Sequence, residues 1–100
     1  MLTSEGILRK IEKNMDKIKK YGVKRIGLFG SYIRNEQKRA SDIDILVKFK
    51  KDEKTFDNYM ELKFFLEDLF ECKVDLVIVE AIKPDLKPHI LEGVKYAAGV

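Results

Sequence analysis

With 100 residues, 45% of them hydrophobic, the chain has room for one core and reads as a single domain over residues 1–100; its 37% charged share exceeds the roughly 25% of an ordinary globular domain. Lys and Arg number 20 against 17 Asp and Glu, a net charge of +3 with both signs interspersed, so no basic arm is present and direct nucleic-acid binding is not expected. The single Cys72 excludes an intrachain disulfide and a Cys-based zinc site; the charged residues 1–13 do not form a leader peptide, and no apolar run approaches the ~20 residues that cross a bilayer, so a cytoplasmic location without membrane contact is expected.

Ile7, Leu8, Ile11, Met15 and Ile18 recur at spacings of three and four, the pattern of one amphipathic helix, with Ser4 as its N-cap and Gly22 as its stop. Residues 23–29 then form a first short strand that ends at Gly30-Ser31. From Ser41 the chain alternates, with Ile43, Ile45, Val47 and Phe49 on one face and Asp42, Asp44 and Leu46 on the other, which predicts a second strand with two carboxylates on one side.

After a charged loop at 50–54, Thr55 caps a second helix carrying Tyr59, Leu62, Phe65, Leu66, Leu69 and Phe70 and ending near Glu71. Its aromatic residues Phe56, Tyr59, Phe64, Phe65 and Phe70 are expected mainly in the core, although their density on one helix exceeds what a small sheet needs and leaves some to face a partner. Residues 74–79 are rich in β-branched side chains and predict a third strand, interrupted near its start by Asp75. Pro84 and Pro88 precede a short helix through Ile90 and Leu91, Gly93 ends it, and a brief run at 94–97 closes the chain. This order implies an α+β domain: a small mixed sheet with helices packed on one face.

An acid inside a strand opposes β-propensity and is costly to bury, yet Asp42 and Asp44 share one strand and Asp75 occupies another. Asp42 and Asp44 lie about 7 Å apart at the Cα level, since each residue advances about 3.3 Å. If the third strand lies beside the second, Asp75 joins them, and three repelling carboxylates call for a hard cation such as Mg²⁺ or Mn²⁺. Gly30 lets the backbone turn directly after a strand, and the amides that open this turn suit phosphate oxygens, with Ser31 as a hydroxyl donor and Arg34 as a charge partner. Singly, each signal has a plainer reading: Asp-x-Asp in a solvated loop, Gly-Ser as a mere turn, Asp75 as an edge-strand guard. His89 reads as a surface or capping residue and Cys72 as a small hydrophobe.

Together, Gly30-Ser31, a loop with Arg34, Ser41-Asp42-Ile43-Asp44 entering a hydrophobic strand, and the later Asp75 resemble the minimal nucleotidyltransferases of the DNA polymerase β superfamily. The resemblance implies a polymerase-β-like core, ATP or another nucleoside triphosphate as substrate, and two Mg²⁺ ions, with Mn²⁺ as a substitute. It implies Asp42 and Asp44 bridging the two ions, Asp75 as the third metal ligand, binding the catalytic ion and orienting or deprotonating the acceptor hydroxyl, and Gly30, Ser31, Arg34 and Ser41 about the nucleotide. Asn35 departs from the Gly usual after the Arg, although Asn tolerates a left-handed backbone best after Gly. Members often act as antitoxins that transfer AMP to a tyrosine of a HEPN-family ribonuclease, which sets the expected partner. The competing expectation is a binding module that neutralises such a partner by contact alone.

Overall fold

The computed structural model of the chain describes residues 3–33 and 42–99. The N-terminal apolar series folds as two helices, α1 (Ser4–Lys13) and α2 (Met15–Lys19), rather than the one expected. The break is Asn14, which leaves helical geometry at φ −108° and ψ 16° while its side-chain amide donates to the Lys10 carbonyl at 2.8 Å. An Asn side chain that satisfies a local carbonyl offers the backbone an alternative to the next helical turn. The burial pattern survives the break, because Ile7, Ile11, Met15 and Ile18 are all buried. The N-cap is Thr3 and not the neighbouring Ser4: the Thr3 hydroxyl accepts from the Gly6 amide at 3.1 Å.

Strand β1 (Val23–Phe29) follows Gly22, whose positive φ of 80° turns the chain out of α2. A 3₁₀ turn over Gly30–Tyr32 ends β1, and β2 (Ile43–Phe49) pairs antiparallel with it. Helix α3 (Phe56–Phe70), capped by the Thr55 hydroxyl on the Asn58 amide at 3.1 Å, crosses over to β3 (Val74–Ile78), which pairs parallel with β2. A 3₁₀ turn at Val79–Ala81, helix α4 (Lys87–Glu92) and the two-residue β4 (Lys95–Tyr96) complete the described chain. The sheet order is β3-β2-β1-β4, a mixed four-stranded sheet as the element order implied.

Alternation along β2 assigns the faces. Ile43, Ile45 and Val47 join Ile26 and Leu28 of β1, Leu62, Leu66 and Phe70 of α3, and the α1–α2 series in one continuous core. Each such side chain, fully buried, contributes roughly 1.5–3 kcal/mol. Leu46 and its cross-strand partner Gly27 therefore face the other way. Leu46 is nonetheless fully buried, and a side chain at Gly27 would run into Val94 and the Lys95 carbonyl at 2.9 Å. The C-terminal segment thus covers part of the sheet's second face. Of the aromatic residues on α3, Phe70 is buried and Tyr59 and Phe65 pack against the core, whereas Phe56 and Phe64, 76% and 58% exposed, are the ones the core leaves over.

Candidate functional site

Strand register gathers the predicted acids at one end of the sheet. Phe29, Asp44 and Asp75 are successive partners across β1, β2 and β3, so the Asp44 and Asp75 side chains project from neighbouring positions on one face. Asp42 lies just before β2 and not within it as the alternation predicted; there the Ile43 amide donates to the Lys73 carbonyl at 3.1 Å and ties the two strand entrances together. This face is opposite the core, which lets Asp42 and Asp75 remain exposed and Asp44 half-buried without charged groups entering the apolar layer.

Gly30 shapes the floor of the site. Its φ is +78°, and a Cβ built there would overlap the Asp44 carboxylate. No other residue type has both the backbone freedom for this turn and the absent side chain that leaves room for Asp44. The sequence suggested a glycine for close approach to a ligand, and the structure adds a second requirement, set by the carboxylate on the next strand. Arg34, Asn35, Ser41 and the side chain of Ser31 lie outside the described residues.

Two hydrogen bonds from α3 hold the outer edge of β3 around Asp75. Glu67 accepts from the Val74 amide at 3.1 Å, and the Tyr59 hydroxyl donates to the Leu76 carbonyl at 2.7 Å. These bonds fix the strand on either side of Asp75 and use edge groups that would otherwise invite strand addition. Burial pushes the Cys72 thiol up, helped by the negative charges of Asp42 and Glu67, and burial likewise raises the Tyr32 hydroxyl with a smaller contribution from Cys72. A thiol kept protonated is a poor nucleophile, so Cys72 is suited to packing and not to covalent catalysis.

Among the described residues, no three His, Cys, Asp or Glu side chains are gathered closely enough to hold a metal ion as they stand. The carboxylates share an edge without forming a closed cage. That arrangement still fits Mg²⁺, which typically takes one or two carboxylates and completes its shell with waters and substrate phosphates. Oxygen-only donors beside the Gly30 turn meet that description.

A cleft of about 460 Å³ opens beside Asp44 and Gly30 and is closed on its far side by His89, Ile90, Glu92 and Gly93. Sequence reasoning placed His89 on the surface; it is exposed as expected, but it lines this cleft. Nothing local to a short Pro-started helix signals that role, because the fold brings α4 to the sheet end over a long sequence separation. A second, more apolar hollow of about 340 Å³ lies between Phe56, Tyr59 and Ile78 and touches none of the three acids.

A family model described as "Nucleotidyltransferase domain" matches residues 8–97. A Methanocaldococcus jannaschii protein, provisionally named a protein adenylyltransferase, is 50% identical over 93 residues, 92% of each chain. Protein adenylyltransferase MntA of Thermococcus cleftensis is 37% identical over 97 residues, covering 96% of this chain and 97% of its own. Among solved structures, a provisionally assigned minimal nucleotidyltransferase superposes with a TM-score of 0.81 at 29% identity, covering 94% of this chain and 95% of that one. A toxin–antitoxin structure with AMP-PNP gives 0.69 at 29% identity, over 89% and 73% of the two chains. The complex of tri-AMPylated Shewanella oneidensis HEPN toxin with its MNT antitoxin gives 0.64 at 25%, over 93% and 73%. The chain, with its mixed sheet, its Asp44 and Asp75 in register at one end and the Gly30 turn beside them, belongs to the nucleotidyltransferase domain family, in its minimal branch.

Proposed function

We propose that the protein is a Mg²⁺-dependent adenylyltransferase that moves AMP from ATP to a tyrosine hydroxyl of a HEPN-type ribonuclease toxin, and so acts as its antitoxin. The observation that carries this reading is the register of Asp44 with Asp75 beside the Gly30 turn. Relatives named as protein adenylyltransferases, and structural relatives in complex with AMPylated HEPN toxin or with AMP-PNP, support the nucleotide and the partner.

In this scheme Asp42 and Asp44 would hold Mg²⁺ against the triphosphate, and the amides of the Gly30 turn would donate to its terminal phosphates. Bound there, Mg²⁺, with Mn²⁺ as a substitute, supplies charge neutralisation on the transferred group and its leaving group. Asp75, exposed on the edge strand and fixed through Val74 and Leu76, receives the acceptor and takes its proton. The acceptor oxygen forms a bond to the α-phosphorus, the bond from that phosphorus to the bridging oxygen breaks, and pyrophosphate leaves. A phenol suits this site because its pKa near 10 lies within reach of a carboxylate assisted by a cation. The exposed Phe56 and Phe64 of α3 offer the partner an apolar contact outside the reaction site.

Incubation with ATP labelled on either the α- or the γ-phosphate, Mg²⁺ and the HEPN partner tests the reading. Label from the α-position on the partner, and none from the γ-position, is expected. Transfer of the γ-label would show phosphorylation instead, and a neutralised partner with no label would favour inhibition by contact alone.

A further inference from the structure

The sheet face that carries Asp44 and Asp75 is positively charged at its other end. Alternation along β2 puts Lys48 on the same face as Asp44, about 13 Å away, since a strand rises about 3.3 Å per residue. The β1 register sets Arg25 directly opposite Lys48, just past the irregularity between Val23 and Arg25. Like charges placed opposite each other destabilise a strand pair. Among the described residues neither cation has an ion-pair partner, and Glu53, the carboxylate beside Gly22 at this end, accepts instead from the Asn58 side-chain amide at 3.2 Å. Lys50, two residues after Lys48, and Lys95, next to Tyr96, are exposed and add charge of the same sign.

Arg25 is also held in place. Its guanidinium lies 3.8 Å from the centre of the Tyr96 ring, and the Ala97 amide, donating to the Ile26 carbonyl at 2.9 Å, fixes that ring on the strand. Stacking covers one face of the guanidinium but leaves the N–H donors in its plane available, ready for the two oxygens of a carboxylate. We propose that Arg25, Lys48 and Tyr96 form a docking surface for an acidic segment of the partner protein: one carboxylate meets the Arg25 fork and another the Lys48 ammonium. The inference rests on the reading that the acceptor is a protein. An interface covering about 800 Å² on each side spans this surface and the acids together, so the partner's acidic segment lies on the order of 13 Å from the hydroxyl it offers to Asp75. A nucleic-acid backbone suits the surface less well, because it needs a run of phosphate contacts and this chain intersperses both signs around a net charge of +3.

The test combines Arg25→Glu with Lys48→Glu, and its control combines Arg9→Glu with Lys17→Glu, which makes the same charge change at exposed positions on α1 and α2. Titration with a HEPN-type partner at low and high salt, steady-state AMP transfer, and calorimetry with Mg²⁺ and ATP are the readouts. The Arg25/Lys48 variant is expected to lose tenfold or more in partner affinity at low salt, with a matching rise in KM for the partner. Its kcat at saturating partner and its ATP affinity stay unchanged, and the control keeps its partner affinity. Should the Glu pair not fold, Arg25→Gln with Lys48→Gln, which removes both charges and their repulsion, decides the matter with a severalfold loss expected. Unchanged partner affinity, or an equal loss in the control, would overturn the surface. A hexaglutamate peptide and an oligouridylate of equal charge, followed by amide chemical shifts of the unaltered protein, probe it without the partner. Shifts at Arg25, Lys48 and Tyr96 with the peptide are expected; shifts there with the RNA alone would give the surface to nucleic acid, and none with either would overturn it. Partner binding that the Arg25/Lys48 variant loses, without AMP transfer by the unaltered protein, would sink the transferase reading and leave the surface standing.

Discussion

Replacing Gly30 by Ala tests how the site is built, and the structure sets the size of the effect. At φ +78° an L-residue is held in the left-handed region, at a cost of roughly 1–2 kcal/mol. The added Cβ would also overlap the Asp44 carboxylate, so that side chain must leave its place. A displacement near 1 Å in a catalytic group costs on the order of a hundredfold in rate, so transfer should fall by about that factor. Stability should fall modestly, by roughly 4–8 °C in melting temperature per kcal/mol for a domain of this size. Gly22→Ala is the matched control: its φ is +80° and its Cβ would come within 2.5 Å of the Glu53 Cβ, far from the acids. Both variants should melt earlier, and only Gly30→Ala should lose AMP transfer when assayed well below its melting point. Equal transfer by the two variants would refute the idea that Gly30 exists to seat Asp44.

Asp42→Asn and Asp44→Asn should each abolish Mg²⁺-dependent ATP binding and transfer, whereas Asp75→Asn should keep ATP binding within a fewfold and lose transfer; calorimetry and a labelled-transfer assay read the two separately. Tyr59→Phe removes the 2.7 Å bond to the Leu76 carbonyl and should cost about 1 kcal/mol in a denaturant melt, with a fewfold slower transfer as β3 loosens around Asp75. Saturating Mg²⁺ and ATP should raise the melting temperature, since a ligand at a hundred times its Kd adds about 2.7 kcal/mol to the native state. The same ligands should not shift the melt of Asp44→Asn.

The register of the acids was legible because it broke a local rule. Asp44 and Asp75 stand inside strands, with Asp42 directly before one, where β-propensity disfavours acids, and such violations concentrate at functional sites. Period-two alternation then placed Asp44 opposite the core residues Ile43 and Ile45, as found. The break at Asn14 was not legible, since the apolar spacing continues through it and only a side-chain hydrogen bond interrupts the helix. The choice of Thr3 over Ser4 as the cap lay between adjacent residues of equal capping ability. That some α3 aromatic residues exceed the needs of the core was legible, but not that Phe56 and Phe64 are the exposed ones, because helical spacing places residues on a face without saying whether the rest of the fold reaches it. The α4 wall was hidden for a related reason: His89 and Glu92 meet Gly30 and Asp44 only through the tertiary fold.

The central claim is that Asp42, Asp44 and Asp75 transfer AMP to a partner protein. Its most direct measurement is the intact mass of a HEPN-type partner purified after co-expression with the native chain and, separately, with Asp42→Asn. The account predicts a partner heavier by one or more AMP units in the first case and of unmodified mass in the second. A partner of unmodified mass that is nevertheless fully neutralised by the native chain, or one that carries AMP equally with Asp42→Asn, would contradict it.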